Sequence, residues 1–440
     1  MDVTPQPHPL SYWLATAGAE PEGLTQLAAD RTAEVAVIGG GYTGLSAAYR
    51  LAATHGIEAV VLEAHRVGWG ASGRNGGFAM ISMGKLSLQE RIQKWGLEAA
   101  RRSVRIGVEA LEAVRDLIAK EGIACDPQAD GWINVAHHPR MVAVLRERLA
   151  LYRDTLGYGA LEFLDRDALA ERGYLRGPAA HGALHYLKTF GLHPLKYVWG
   201  MARAALRRGA AVHQASPVVA WETDGRWNRL STPGGTVRAR RVVVATNGYT
   251  PERLHPFFAG RTLPATSNII VTRPITEAEW TEVGMRTTQV YSDTRYLLHY
   301  WRRLPDGRML FGARGGILDT PASLRRRRAQ LEADLGAMFP ALAGVGSEYF
   351  WWGNVCLPYD RHPHVHTAED DPTVGYAMGY TGTGVAMATW AGALAGDLAA
   401  GKPIARDTPI TAAGLPRFPL PFLRRVYLAS AYLYYGAKDR

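Results

Sequence analysis

Glu34-Val35-Ala36-Val37-Ile38-Gly39-Gly40-Gly41-Tyr42-Thr43-Gly44 joins a short apolar strand directly to a Gly-x-Gly-x-x-Gly turn. Leu45, Ala47, Ala48, Leu51 and Ala52 continue it at helical spacing, and Ala59-Val60-Val61-Leu62 reads as a second buried strand ending on Glu63 and Ala64. The pattern predicts a βαβ unit with a carboxylate at the tip of its second strand. Gly39 allows the tight turn, and Gly41 lets the backbone approach a pyrophosphate at the positive end of the helix. Gly44 lets that helix, opened by Tyr42 and Thr43, pack close on the strand. Glu63 can accept hydrogen bonds from ribose hydroxyls. A Gly-rich surface turn would leave Glu63 and the strand pattern unexplained, so the stretch is read as a dinucleotide site.

The chain has 440 residues, 47% of them hydrophobic, which is enough for a large core and too long for one typical domain. No apolar run approaches the ~18 residues of a membrane span. Met1-Asp2-Val3-Thr4-Pro5 lacks the basic and apolar regions of a secretory signal. With only Cys125 and Cys356, a disulfide framework is excluded and a cytoplasmic location is expected. The formal charge of +10 could attract anions. Its one dense run, Arg325 to Arg328, falls in an expected helix and reads as a solvated face, so no nucleic-acid partner is expected.

Further along, Gly68-Trp69-Gly70-Ala71-Ser72-Gly73-Arg74-Asn75-Gly76-Gly77 forms a second glycine cluster. Residues 87–156 are mostly helical in pattern, interrupted by an extended 131–135. A helix is expected over 194–208, and strands over 211–214 and 241–245, the latter running into Thr246-Asn247-Gly248. From 263 to 312 the pattern changes to longer alternating strands, with Pro305-Asp306-Gly307 as a hairpin turn. Gly379-Tyr380-Thr381-Gly382-Thr383-Gly384 then opens an apolar helix to about 400. The expected fold is α/β (α+β overall): a Rossmann-like domain with an inserted antiparallel-sheet substrate domain. The cofactor-binding domain is expected to comprise 1–86, 190–262 and 346–440, and the substrate-binding domain 87–189 and 263–345.

Four features favour FAD over NAD. The first glycine motif lies near the start of a long chain. The second cluster offers further contacts at Gly70, Ala71, Ser72, Arg74, Asn75, Gly76 and Gly77. A late strand ends beside the cofactor at Ala245, Thr246 and Gly248, with Val218 added to the contact set. Last, Gly379, Gly382, Thr383 and Gly384 can aim a helix N-terminus at the flavin C2=O, where reduced flavin carries negative charge.

On these residues, with Ser11-Tyr12-Trp13 and Asp306-Gly307-Arg308, the chain resembles the D-amino-acid oxidase/sarcosine oxidase superfamily of FAD-dependent amine oxidoreductases. It is most similar to the γ-glutamylputrescine oxidase-like branch. The resemblance covers most of the chain and implies a p-hydroxybenzoate-hydroxylase-like fold, tightly held FAD and oxidation of a C–N bond. The implied chemistry is hydride transfer from the carbon beside a neutral amine to flavin N5, with the imine hydrolysing to a carbonyl compound. O2 or another acceptor would reoxidise the flavin. In relatives resembling sarcosine oxidase a Cys just before a stretch like Asp360-Arg361-His362-Pro363 holds FAD covalently. Cys356 is near that position, so non-covalent binding is expected with a link through Cys356 as the alternative. Amino-acid oxidases resembling glycine oxidase clamp the substrate carboxylate with an arginine where Val355 stands here. This departure favours an amine or N-substituted amino acid.

Candidate catalytic residues are Tyr300, Arg302, His362 and His364. Arg302 is read either as a substrate contact or as a surface hairpin arginine. Trp69, Trp352 and Tyr380 are candidates for facing the substrate, since aromatic walls suit amines. His362, His364 and His366 alternate and would share a strand face, but no metal is expected. The competing functions are a flavin-dependent monooxygenase, a tRNA-modifying FAD enzyme on the same fold, and a non-catalytic FAD-binding subunit. The apolar, basic segment from Phe418 to Tyr435 is expected to pack on the protein's own surface, with peripheral membrane docking as the alternative.

Overall fold

The computed structural model describes residues 4–178, 180–317 and 319–439. Two eight-stranded sheets organise them. In the first, Arg31–Ile38 lies centrally, parallel to Ala59–Leu62 on one side and Gly235–Val244 on the other. Ala211–His213 and Val374–Met378 extend it in parallel, and His364–Thr367 closes one edge antiparallel. Val35, Ala36, Val37 and Ile38 are all buried, as a strand covered on both faces requires. A hairpin of Ala220–Thr223 and Asn228–Thr232 adds onto Gly235–Val244.

The Tyr42–His55 helix follows the first strand and packs against the Gly384–Ala399 helix from the far end of the chain. Gly392 makes this approach close: a Cβ there would stand 2.3 Å from the Thr43 carbonyl oxygen. Ser46 Oγ donates to the Thr389 carbonyl at 2.6 Å across the same contact. The two helices therefore pack side by side, and residues at the N-terminus of each, Tyr42 and Thr43 in one and Gly384 and Val385 in the other, line one cavity.

The second sheet runs in the order Tyr349–Leu357, Leu263–Pro274, Arg308–Arg314, His299–Arg303, Val290–Asp293, Trp132–Val135, Ala183–Tyr186, Leu161–Leu164. Every pairing is antiparallel except Val290–Asp293 with Trp132–Val135, which is parallel. The hairpin at 305–307 forms as expected, with Gly307 at φ +78°. One strand crosses the expected domain division, which put 346–440 with the cofactor-binding domain. Tyr349–Leu357 pairs with Leu263–Pro274 over nine residue pairs rather than with the parallel sheet. Its sequence could not reveal the partner, because register is chosen by what faces it in space.

The sheet holds its covering helix Pro321–Met338 partly through charge. His299 Nδ1 lies 3.1 Å from Asp293 and Nε2 lies 3.2 Å from Asp334 on that helix. Burial opposes a charge on His299, but the two carboxylates outweigh it and push its pKa up from 6.5 to about 9. A raised folded pKa means stabilisation that is full below pH 6.5 and is lost as pH rises through 9. His299→Gln should therefore lower thermal stability more at pH 6 than at pH 10. The gap between the two is on the order of 3 kcal/mol or less. Equal losses at both pH values would show that the imidazolium contributes nothing.

The C-terminal Arg424–Lys438 helix packs through Leu428 against Leu263, Ala265 and Phe418. Asp439 accepts hydrogen bonds from the backbone N–H groups of Tyr296 and Leu297, at 2.8 and 2.9 Å. Among the described residues, no helix is long and apolar enough to cross a membrane.

Candidate active site

A cavity of about 1150 Å³ lies where the two helix N-termini meet the second sheet. This exceeds the roughly 300–1,000 Å³ usual for a small-molecule pocket and leaves room for a dinucleotide together with a substrate. One end is built by the βαβ unit. Glu63 Oε2 accepts from Gly40 N at 2.7 Å, and Oε1 from His65 N at 2.9 Å. Burial raises the Glu63 pKa, while these backbone donors favour its charged form. A carboxylate has about four acceptor positions, so Glu63 keeps capacity for a ribose diol.

In the middle, Ser72 Oγ accepts from Tyr42 N at 3.0 Å, tying the second glycine cluster to the start of the first helix. That cluster is rigid. Asn75 Nδ2 donates to Ala71 and Ser72 carbonyls, and Asn75 Oδ1 accepts from Gly77 N at 2.7 Å. Trp13 Nε1 donates to the Asn75 carbonyl and Trp351 Nε1 to the Arg74 carbonyl. This accounts for Ser11-Tyr12-Trp13: Ser11 caps a short helix, Tyr12–Thr16, that presses Trp13 against the loop. Arg74 donates to the carbonyls of Trp69 and Trp352.

The other end is aromatic. Tyr380 Oη lies 2.8 Å from Thr43 Oγ1 and so joins the two glycine-rich loops. Tyr300 lies against Phe78, its hydroxyl 3.0 Å from Ser267 Oγ, and burial pushes its pKa up to about 12. Trp352, Val355 and Cys356 line the same region. Burial also pushes the Cys356 thiol up to about 12.

The cavity gathers most of the sequence-predicted contacts. Gly39, Gly41, Tyr42, Thr43, Glu63, Ala64, Gly70, Ala71, Ser72, Arg74, Asn75 and Gly76 line it. So do Val218, Ala245, Thr246, Gly382, Thr383 and Gly384, together with Trp69, Tyr300, Trp352 and Tyr380. Four glycines stand behind the wall. Gly44 packs on Gly39, Gly77 on the Leu192 carbonyl, Gly248 on Asn354 to Cys356, and Gly379 on Pro358 and His362. They shape the lining without forming it.

Three candidate catalytic residues lie outside the lining. Arg302 lies neither in the cavity lining nor on the surface. It is 2% exposed, donates to the carbonyls of Leu192 (2.9 Å) and Gly77 (3.4 Å), and lies over Trp13. His362 and His364 are buried and converge on Asp360, with Nε2 atoms 3.1 and 3.0 Å from its carboxylate. Their Nδ1 atoms face the carbonyls of Pro363 and Ala413. Ligand atoms of Asp360, His362 and His364 lie within 4.8 Å of one another, whereas the His366 Nδ1 faces the Thr367 carbonyl. Trp69 belongs near the Glu63 end: its ring centroid is 3.8 Å from that of His65, and Nε1 donates to the Pro7 carbonyl at 3.0 Å.

Sequence reasoning missed other lining residues. Residues 6–10 run along the cavity, and Lys85 and Arg314 enter it from segments that carry no motif. His8, buried beside Arg74 and Arg66, has its pKa pushed down to about 4. The strand parity of Arg314 with Tyr300 across the hairpin was the one available hint.

A dinucleotide fits the donor set: a buried acceptor at one end, two helix N-termini in the middle and an aromatic chamber at the other. Comparison with known proteins agrees. The model of the FAD-dependent oxidoreductase family (DAO) matches residues 34–398. The chain is 32% identical over 436 residues to γ-glutamylputrescine oxidoreductase of Escherichia coli, covering 98% of this chain and 99% of that one. It is 24% identical to glycine oxidase of Bacillus subtilis, covering 85% and 95%. Among solved structures, glycine oxidase from Geobacillus kaustophilus superposes with a TM-score of 0.72 at 19% identity, covering 88% of this chain and all of that one. L-proline dehydrogenase from P. horikoshii superposes with a TM-score of 0.68 at 19% identity, covering 87% and 98%. The protein belongs to the DAO family of FAD-dependent oxidoreductases.

Proposed function

We propose that the protein oxidises the C–N bond of an amine or N-substituted amino acid, with FAD held non-covalently. The observation that carries this is the aromatic chamber itself, continuous with the cofactor end and roofed by the second sheet. FAD, when bound, supplies the two-electron sink. Gly39, Gly41, Ser72 and Glu63 would hold its adenosine and pyrophosphate end. The N-terminus of the Gly384–Ala399 helix, carrying about half a positive charge, would stabilise negative charge at the flavin C2=O.

The chain's own residues then prepare the substrate. Tyr300, Trp352 and Tyr380 exclude water and orient the reacting C–H bond. Lys85 and Arg314 line the chamber, and burial there disfavours a charged amine and favours its neutral form. Val355 lines the chamber and cannot clamp a carboxylate, so a simple α-amino acid held at that position is disfavoured. The E. coli relative's activity on γ-glutamylputrescine supports an amine substrate of this kind. The high pKa of the Cys356 thiol leaves little thiolate to attack a flavin, which supports non-covalent binding. We assign the cofactor to the segments of the parallel sheet and the substrate mainly to the second sheet. Both cysteines are free and buried, which suits a reducing cytoplasm.

Anaerobic flavin bleaching against amines, polyamine derivatives and N-methyl amino acids tests the reading. Bleaching by at least one amine is expected, and bleaching by NADPH alone would favour a monooxygenase instead. Acid precipitation should release the flavin into the supernatant. Flavin that stays with the pellet would establish a covalent link. Return of the yellow colour in air, compared with return on adding a quinone, separates O2 from another acceptor.

A further inference from the structure

The geometry points to a binding site for a zinc-class divalent cation at Asp360, His362 and His364, apart from the cavity that takes cofactor and substrate. None of the three lines that cavity. The alternation of His362, His364 and His366 carries no expectation of a metal, and the fold changes the set. His366 turns its Nδ1 to the Thr367 carbonyl, and the carboxylate of Asp360 takes its place. His364 opens the edge strand His364–Thr367. Asp360 and His362 come from the turn before it, where Arg361 N donates to the Pro358 carbonyl at 3.2 Å.

The hydrogen bonds of the two rings call for a cation. Their Nε2 atoms lie 3.1 Å (His362) and 3.0 Å (His364) from the two carboxylate oxygens of Asp360. Their Nδ1 atoms are already engaged, at 3.0 Å from the Pro363 carbonyl and 3.1 Å from the Ala413 carbonyl. A carbonyl oxygen only accepts, so each Nδ1 carries its ring's proton, and the Nε2 of a neutral imidazole is then a lone pair. Two lone pairs and a carboxylate converge, an arrangement that a cation between them makes favourable. Without one, each ring must take a second proton or leave a lone pair facing oxygen. Two imidazolium ions would then share a single carboxylate. His299 has the opposite balance, one ring between two carboxylates. Among the described residues, Asp360 is the only carboxylate within 4.0 Å of two imidazoles.

Distances and donor types fit zinc. One ligand atom from each of the three residues lies within 4.8 Å of the others. Ligands about 2.0–2.2 Å from a tetrahedral zinc stand roughly 3.3–3.6 Å apart, so the Nε2–carboxylate contacts need to open by only a few tenths of an ångström. The Nδ1–carbonyl contacts are the outer hydrogen bonds that orient zinc-bound imidazoles. Two imidazoles with one carboxylate suit zinc better than magnesium or calcium, which take oxygen ligands. Both imidazoles are buried, while the Asp360 side chain is 30% exposed, so solvent can supply a fourth ligand and the ion an entry path. The ion would brace the cavity wall from behind. The Arg361 carbonyl accepts from Lys85 N at 2.8 Å, and a Cβ on Gly379 would stand 3.3 Å from the His362 carbonyl oxygen.

The test is metal titration of the FAD-loaded protein after dialysis against EDTA, and it does not depend on which substrate is oxidised. ZnCl2 is titrated by calorimetry. CoCl2 is followed by absorbance, where tetrahedral Co2+ bands fall to the red of oxidised flavin. Wild type should bind one equivalent of zinc and melt at a higher temperature with it, while MgCl2 does neither. Asp360→Asn and His362→Gln should each weaken zinc binding roughly a hundredfold or more, beyond the effect of removing an outer hydrogen bond. His366→Gln should bind as wild type does. Flavin absorbance and melts of the zinc-free variants report their folding. Zinc-edge X-ray absorption on wild type needs no variant and should show two imidazoles with oxygen. Absence of stoichiometric zinc uptake by wild type would overturn the proposal. So would fewer than two imidazoles at the zinc edge, or uptake that Asp360→Asn and His362→Gln leave intact, since the ion would then sit on other side chains.

Discussion

Gly44→Val should yield a colourless protein that retains no FAD after gel filtration. A Cβ at residue 44 would stand 1.9 Å from the Gly39 carbonyl oxygen and 3.1 Å from Val37 Cγ1. The first of these is backbone in a turn that cannot yield. Gly39 has φ +114°, and its N–H donates to the Leu62 carbonyl at 2.9 Å. The Tyr42–His55 helix would have to lift off the sheet, carrying Gly41, Tyr42 and Thr43 away from the cofactor. It would also press on the Gly384–Ala399 helix through the Gly392–Thr43 contact. A loss of about 3 kcal/mol or more is expected, read in thermal melts of the apoprotein. Flavin absorbance at wild-type stoichiometry in the variant would refute this role for Gly44.

The second large effect is expected at Arg302. Burial pushes its pKa down to about 9, and no acid pairs with it among the described residues. It fills the seam between the strand His299–Arg303 and the loops at Gly77 and Leu192, with Trp13 and Phe78 on either side. Arg302→Ala should destabilise by about 3–5 kcal/mol, because it opens a large cavity and takes the donor from the Leu192 carbonyl. Arg302→Met should be much milder. It refills the volume and removes a buried charge that has no counter-ion. Denaturant unfolding of both variants decides the matter. An alanine variant as stable as wild type would mean the seam is not packed by Arg302. A methionine variant as damaged as alanine would mean the charge itself is required.

Arg302 also shows what strand patterning conveys. In Tyr300-Trp301-Arg302-Arg303 the alternation puts Tyr300 and Arg302 on one face and Trp301 on the other. Trp301 indeed packs near Phe311 and Phe339 in the second core. Parity could be read from the chain, but not that the Tyr300 face would be covered by the loop at Gly77. Whether a charged strand residue meets water or another domain depends on contacts more than a hundred residues distant. The same holds for Tyr349–Leu357, whose sheet partner is set by packing against Leu263–Pro274.

The cofactor end is a different kind of object. Its turn, helix start and acceptor all lie within Gly39 to Glu63, and they act through backbone N–H groups and glycine conformations that a few residues encode. The sequence alone therefore determined the βαβ unit, the glycine loops and the identity of FAD. Only the tertiary structure decided the lining of the cavity's other end. Lys85, Arg314, Tyr300 and the arm at residues 6–10 come from segments without a motif, and their side chains meet because two sheets and two helices are packed in one arrangement. Backbone recognition is written locally, whereas a charged pocket exists only where distant side chains converge.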